Sequence, residues 1–440
     1  MSNLTGSASA LLLIAFLAGA CRPPAVVRRA LEPPSPRERY EASLRDAGLA
    51  DTGLGRAWIE AGRQALASPV PVEPPFREVG YFSPNEAAAV GYRIELRRGQ
   101  RLTAEYEVQG SEALVLFLDL IELGDQPDRV ASAAAGSATL DYEAHRDGTF
   151  VLRLQPELLR GGRFVLTQRI AAVLAFPVPD AVHQVYSVFG DPRDEGERTH
   201  EGIDIFAPRG TGAIAAADAV VRDVGTNRLG GNVVWLWETS RGLAMYYAHL
   251  DRATVSAGQL VKVGDTIGHI GNTGNAVNAA PHLHFGIYTF GSGALDPLPF
   301  VVSPPGTLPA IPSDVSALGE LRRTTRSGLT VGQARAGGKV PPLSRNTVLL
   351  VEALAGPLVR VRLPDGTRGM IASRELRPLD PPVRRLTPRD GLRLLDRPIA
   401  EAAIVTELAP GNSLPVLGQF AGFLLVRDPD GREGWVEAQM

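Results

Sequence analysis

Between residues 76 and 172 apolar side chains return at every second position, a period that an extended strand satisfies and a helix does not. Tyr92, Ile94 and Leu96 alternate in "YRIEL", and Leu102, Ala104, Tyr106 and Val108 in "LTAEYEV". "ALVLFLDL", "ATLDYEA", "GTFVLRL" and "RFVLTQR" continue as short strands with turns between them. This pattern predicts an antiparallel β-sandwich over 76–172. A chain of 440 residues is too long for one ordinary domain, and roughly three or four units are expected. The fold class expected is mainly β and multidomain. A hydrophobic content of 44% suits globular folding. The formal net charge of −3 gives no basic footprint, so no nucleic-acid partner is expected.

The one cysteine, Cys21, closes the apolar run "ASALLLIAFLAGAC". That run falls short of the roughly 20 residues that span a bilayer and suits the core of a signal peptide. Residues 1–21 resemble a bacterial lipoprotein signal. The resemblance implies export to the cell envelope (periplasm or cell surface) and a lipid anchor to a membrane at Cys21. With no second cysteine, no intramolecular disulfide assists folding. Residues 22–75 read as a Pro-rich tether, "RPPAVVRRALEPPSP", followed by short helices. Ser35 and Pro36 suit an N-cap and a first helical position, with Tyr40 and Leu44 one turn apart. A second helix begins near Leu54 and carries Trp58. Within the sandwich, "LDYEAHRDGTFVLRLQP…GGRFVLTQR" is similar to the C-terminal half of a prepeptidase-type domain, a companion of secreted peptidases.

Residues 177–305 hold six of the seven histidines. In "THEGIDIF", an extended backbone puts His200, Gly202 and Asp204 on one face, with only a hydrogen at Gly202 between an imidazole and a carboxylate. In "PHLHFGIY", His282 and His284 share a face while Leu283 and Phe285 take the buried one. Two neighbouring imidazoles give up apolar burial, which folding alone does not explain. In "MYYAHLD" the same period predicts Tyr247 and His249 on one face and Tyr246, Ala248 and Leu250 on the other. Two histidines and one carboxylate with an open position suit a catalytic zinc, and no cysteine set exists for a structural one.

The run from "VFGDPRDEGERTHEGIDIFAPRGT" through "GGNVVWLWE" and "YYAHLD" to "VSAGQLVKVGDTIGHIGNTGNAVNAAPHLHFGIY" resembles the M23 (LytM-type) zinc metallopeptidases, with three signature blocks in order. The resemblance implies a central antiparallel β-sheet peptidase domain over 177–305. It makes His200, Asp204 and His284 the zinc (Zn2+) ligands and His249 and His282 the catalytic histidines. It also implies hydrolysis of peptide cross-links or stem peptides of bacterial peptidoglycan. Tyr247, Asn232 and Asn272 are weaker candidates for the substrate groove. His145, His183 and His269 read as structural or solvated.

A linker, 306–318, leads to an internal repeat. "VRLPDGTRGMI" at 361–371 returns as "VRDPDGREGWV" at 426–436, a strand, a Pro-Asp-Gly turn and a second strand in each. Residues 319–380 and 384–440 are similar to bacterial SH3-like small barrels, which implies wall binding or a spacer role. Three other functions compete. The fold also serves non-catalytic activators of wall hydrolases, which have lost zinc ligands; here all three are present. The others are a wall-binding structural lipoprotein and a peptidase acting on secreted proteins.

Overall fold

The computed structural model describes residues 32–110, 114–179, 183–289, 293–312, 314–331 and 341–438. The lipoprotein-type signal expected at 1–21 lies outside the described residues. No helix among the described residues is long and apolar enough to cross a membrane. Residues 171–303, with 98–100, form one compact unit; residues 34–97, 101–170 and 304–440 form another.

The second unit begins with the two expected helices. Pro36–Asp46 opens on a capping box, in which the Ser35 side chain accepts from the Glu38 N–H and the Glu38 carboxylate accepts from the Ser35 N–H. Gly53–Ala67 is capped by Thr52 and buries Trp58, whose indole N–H donates to the Pro156 carbonyl at 2.8 Å. Tyr40, Leu44, Trp58 and Phe117 make a small core of their own.

The alternating segments form two facing sheets. One is ordered Val70–Pro71, Val90–Leu96, Gly148–Pro156, Leu116–Glu122, Asp128–Ser132. The other contains Phe76–Phe82, Gly162–Ala172, Gln100–Gln109 and Thr139–Glu143 in that order. Tyr92, Ile94, Leu102, Phe150, Leu152 and Phe164 fill the space between them.

The second sheet does not stop at its Phe76–Phe82 strand. Val79 pairs with Leu354 and Gly80 with Ala353, so Val348–Ala355, Leu358–Arg362 and Arg368–Ala372 extend the same sheet. The first C-terminal repeat is therefore continuous with the sandwich rather than a detached module. Buried charge crosses the junction. Arg360 reaches Glu78 at 3.0 Å and Glu352 at 2.7 Å, Tyr92 donates to Glu78 at 2.6 Å, and Arg362 and Arg368 each bond Glu352 at 2.8 Å. The second repeat is tied in as well. Val348 and Leu321 share a core with Leu395, Leu417 and Trp435, and Arg323 donates to the carbonyls of Leu379 and Leu417. The 65-residue repeat is a repeated hairpin. Val361 pairs with Gly369 and Val426 with Gly434, and the turn glycines Gly366 and Gly431 have φ of 86° and 85°.

The first unit is an antiparallel sheet ordered Gln184–Ser187, Ile203–Phe206, His282–Thr289, Leu243–Ala253, Gly231–Glu238, Ala219–Asn227, Leu260–Val261. Thr266–Ile270 joins through Leu243–Ala253 and Gly212–Ile214. One face is apolar: Ile203, Ile205, Leu236, Met245, Tyr247, Leu283, Phe285 and Ile287 are all fully buried. Because side chains alternate along a strand, the opposite face receives Asp204, His282 and His284.

Candidate active site

Asp204 and His284 lie directly opposite each other on paired strands, as do Phe206 and His282. The Asp204 Oδ1 is 3.0 Å from His284 Nδ1, and His200 Nε2 is 3.0 Å from Asp204 Oδ1 and 2.9 Å from His284 Nδ1. His200 is not on the Asp204 strand. It follows a two-residue ladder, Arg198–Thr199 against Pro192–Arg193, and enters the site from the loop before Ile203. Gly202 makes that approach possible, because a Cβ there would sit 2.5 Å from the Phe285 carbonyl oxygen and 2.8 Å from His284 Cε1.

These three donors fit a metal cation. The His200 Nδ1 donates to the Val188 carbonyl at 2.9 Å, so the neutral ring turns the Nε2 lone pair inward. A carboxylate has only lone pairs to offer. A single proton on His284 Nδ1 serves one of its two contacts and still leaves His200 Nε2 facing Asp204 Oδ1. A cation among the three resolves that repulsion, and imidazole with carboxylate is a donor set suited to zinc. Burial pushes the Asp204 carboxyl up, but the adjoining His200 and His284 imidazoles outweigh it and hold the group well below the usual carboxylate range. Burial pushes His284 down, against the opposing effect of Asp204.

His249 and His282 stand beside the trio. Their ring centroids are 4.8 Å apart, and His249 is 6.0 Å from the ring of His284. Each is fixed by a main-chain carbonyl: His249 Nδ1 donates to Thr273 O and His282 Nδ1 to Ala280 O, both at 2.9 Å. In a neutral ring this leaves Nε2 as the basic nitrogen in each case. Burial, aided by His282, pushes His249 down to about 4, with the bond to Thr273 only partly offsetting it. Phe206 stacks on the His282 ring at 4.7 Å and sets its plane.

His249 reaches the site by a route that period two does not describe. Tyr247 is fully buried in the core, and its hydroxyl is engaged by the Ala216 N–H at 2.9 Å, so it does not share a face with His249. Tyr246 and Ala248 are on the site face instead: Ala248 pairs with His284, and the Tyr246 ring is 5.9 Å from the His284 ring. Strict alternation would then send His249 into the core. Its φ of 60° turns the backbone left-handed, and the register shifts on both sides of it, so the imidazole swings to the site. Gly271 links the backbones of these two histidines, donating to His249 O at 3.0 Å and accepting from His282 N at 3.1 Å.

The other candidates have structural roles. Asn232 donates to the carbonyls of Leu250 and Asp251 and ties its strand to Leu243–Ala253, and Asn272 donates to those of Val277 and Ala279 and braces the 271–281 loop. His183 stacks on Phe176 at 4.6 Å, His145 lies 6.3 Å from the Tyr142 ring, and His269 pairs with Gly212 on the Thr266–Ile270 strand. The sequence reading missed Ser187 and Arg193. Arg193 donates to Asp204 Oδ2 at 2.6 Å from within the charged run "DPRDEGER", which has no periodicity to mark it.

Residues 198–297 match Peptidase family M23. An L-Ala--D-Glu endopeptidase of Bacillus subtilis is 37% identical over 123 residues, 26% of this chain and 37% of that protein. The glycyl-glycine endopeptidase ALE-1 of Staphylococcus capitis is 39% identical over 108 residues, 24% of this chain and 29% of that protein. The chain thus spans well under half the length of either relative. The solved catalytic domain of lysostaphin from Staphylococcus simulans is 32% identical, with 28% of this chain and 93% of that one covered and a TM-score of 0.25. All five convergent side chains fall inside the matched segment, and the chain contains a peptidase domain of family M23.

Proposed function

We propose that the chain is a zinc-dependent endopeptidase that hydrolyses peptide bonds of bacterial peptidoglycan. One observation carries the reading: His200, Asp204 and His284 converge as a metal trio, with His249 and His282 beside it and oriented by carbonyls. The relatives are named for cleaving different bonds, L-Ala–D-Glu in one and Gly–Gly in another, so the substrate class is proposed and the bond is left to experiment.

Bound zinc supplies Lewis-acid polarisation of a carbonyl and activation of water. The protein contributes the proton transfers. His249 and His282 each carry a lone pair at Nε2, held in position by the Nδ1–H bond. One of them takes a proton from the attacking water. A histidine protonated at Nε2 then donates to the leaving nitrogen or to the developing oxyanion. Tyr246, Tyr288 and Trp235 continue the site face beyond His284, with ring centroids 4.4–6.5 Å apart, and give the substrate a half-exposed aromatic floor. An envelope location, with a lipid anchor at Cys21, accords with this substrate.

The test is digestion of isolated sacculi by the purified chain, with released muropeptides read by mass spectrometry. New peptide ends are expected, and they disappear with a chelator. His284→Ala is expected to lose zinc, whereas His282→Ala keeps zinc and loses turnover by roughly 10²–10⁴-fold. If the wild-type chain with zinc produces no new ends, the enzyme reading fails and activation of another wall hydrolase takes its place. Equal loss of metal in both variants refutes the division of roles.

A further inference from the structure

Two of the three metal donors are clamped from behind by one short loop. His200 and Asp204 turn Nε2 and Oδ1 toward the common point, and the far atom of each, Nδ1 and Oδ2, is held by the segment 187–193. Arg193 Nη2 lies 2.6 Å from Asp204 Oδ2 and 2.7 Å from Ser187 Oγ, so a single nitrogen bridges the carboxylate and the hydroxyl. Ser187 Oγ donates to Asp191 Oδ2 at 2.8 Å and lies 3.2 Å from His200 Nδ1, which donates chiefly to the Val188 carbonyl at 2.9 Å. The Val188 N–H donates to Asp191 Oδ2 at 2.9 Å. The main chain closes the loop: Gly190 N donates to His200 O and His200 N to Asp191 O, both at 2.8 Å.

Directions can be assigned throughout. The Ser187 hydroxyl has one proton, which goes to the Asp191 carboxylate. Its lone pairs are then free to accept from Arg193 and, as the weaker branch, from His200. His200 is left with Nδ1 protonated and Nε2 basic. Arg193 occupies Oδ2 of Asp204, so only Oδ1 is offered to a cation. The loop therefore selects the His200 tautomer and limits the carboxylate to one donor atom. Such outer contacts set ligand aim at metal sites.

We propose that Arg193 and Ser187 form an outer clamp that aims Asp204 and His200 at the cation, with Arg193 a positioning residue that never touches substrate. The proposal rests on the zinc reading above. It is opposed by simple electrostatics, because a guanidinium beside a carboxylate ligand repels a dication. The two effects therefore predict opposite signs.

The test measures zinc affinity of the full chain by competition with a chromophoric chelator, with cobalt(II) absorption as a readout of ligand geometry. Arg193→Met is expected to weaken zinc binding by roughly 10–100-fold and to shift the cobalt bands. Arg193→Lys recovers part of the loss, because one nitrogen makes both contacts. Ser187→Ala keeps the charge but breaks the bridge and weakens binding in the same direction. Melting in the presence of chelator identifies a variant that fails to fold, in which case Ser187→Ala and Arg193→Lys carry the test. Tighter zinc binding by Arg193→Met, or affinities within twofold of wild type with unchanged cobalt bands, overturns the proposal. Failure of the wild-type chain to bind zinc overturns the metal reading and this clamp together, and is recognised without any variant.

Discussion

Gly202 is the smallest perturbation that tests the whole site. An alanine Cβ there lies 2.5 Å from the Phe285 carbonyl oxygen and 2.8 and 2.9 Å from His284 Cε1 and Nε2. Rotating His284 away relieves two of these contacts but takes Nδ1 off Asp204 and His200. The third cannot be relieved by any side chain, because Phe285 O belongs to the ladder in which Ile203 pairs with Phe285, and both residues are fully buried. Overpacking of this kind costs about 1–3 kcal/mol. At about 1.4 kcal/mol per tenfold, strain carried by the metal-bound form weakens zinc roughly 5–150-fold. Zinc competition, melting with and without chelator, and muropeptide release together show where the strain settles. An alanine variant with zinc affinity and turnover within twofold of wild type, and an unchanged melt, would refute the claim that the trio closes only over a hydrogen.

Three further outcomes follow from local geometry. His249→Ala and His249→Gly both abolish turnover, but the left-handed φ of 60° makes the alanine variant about 1 kcal/mol the less stable of the two, and equal urea midpoints would refute the strain argument. At Glu352 burial raises the carboxyl, but Arg368, Arg360 and Arg362 outweigh it and lower it from 4.5 to about 2. A depressed carboxyl stabilises above its unfolded value, so about 3 kcal/mol is present at neutral pH and fades as pH falls from about 4.5 toward 2. Glu352→Gln should flatten that part of the urea-stability profile, and an identical profile would show that the cluster adds nothing. Removing residues 384–440 takes the Leu417 carbonyl from the buried Arg323 and uncovers Val348, so the truncated chain should melt earlier in its sandwich signals; an unchanged melt would make the last repeat a detachable bead.

Most of the peptidase site was legible because its parts are local. In "PHLHFGIY" the two-residue period separates His282 and His284 from Leu283 and Phe285, and the structure keeps that division, with Leu283 and Phe285 fully buried. At Gly202 the spacing suggested a hydrogen between His200 and Asp204 on one strand face, but His200 enters from a loop and the hydrogen instead clears His284 and the Phe285 carbonyl. "MYYAHLD" failed for a physical reason. One left-handed residue in a strand reverses which face the side chain takes, and the sequence gives no notice when that residue is histidine rather than glycine. Such strain persists only where surrounding contacts enforce it. Here the His249 N–H donates to Gly230 O at 2.7 Å and its carbonyl accepts from Gly271.

The remaining surprises come from long-range pairing, which has no local signature. Nothing in "FREVGYF" announces that Val79 will pair with Leu354, because the partner lies far along the chain, beyond the entire peptidase domain. The charges offered a partial hint. Glu78 and Glu352 sit in strands whose neighbours are apolar, and a buried carboxylate requires a cation to accompany it. Arg360 meets both, and removing it would leave two acids buried together. That pairing changes how the C-terminal repeats should be tested. Deleting everything after residue 318, a natural way to ask whether the repeats bind the wall, removes the cation from Glu78 and opens the edge of the Phe76–Phe82 strand. Lost activity in such a truncation would report a damaged sandwich. A wall-binding role for the repeats has to be tested by surface substitutions that leave Arg360 and the Val79–Leu354 pairing intact.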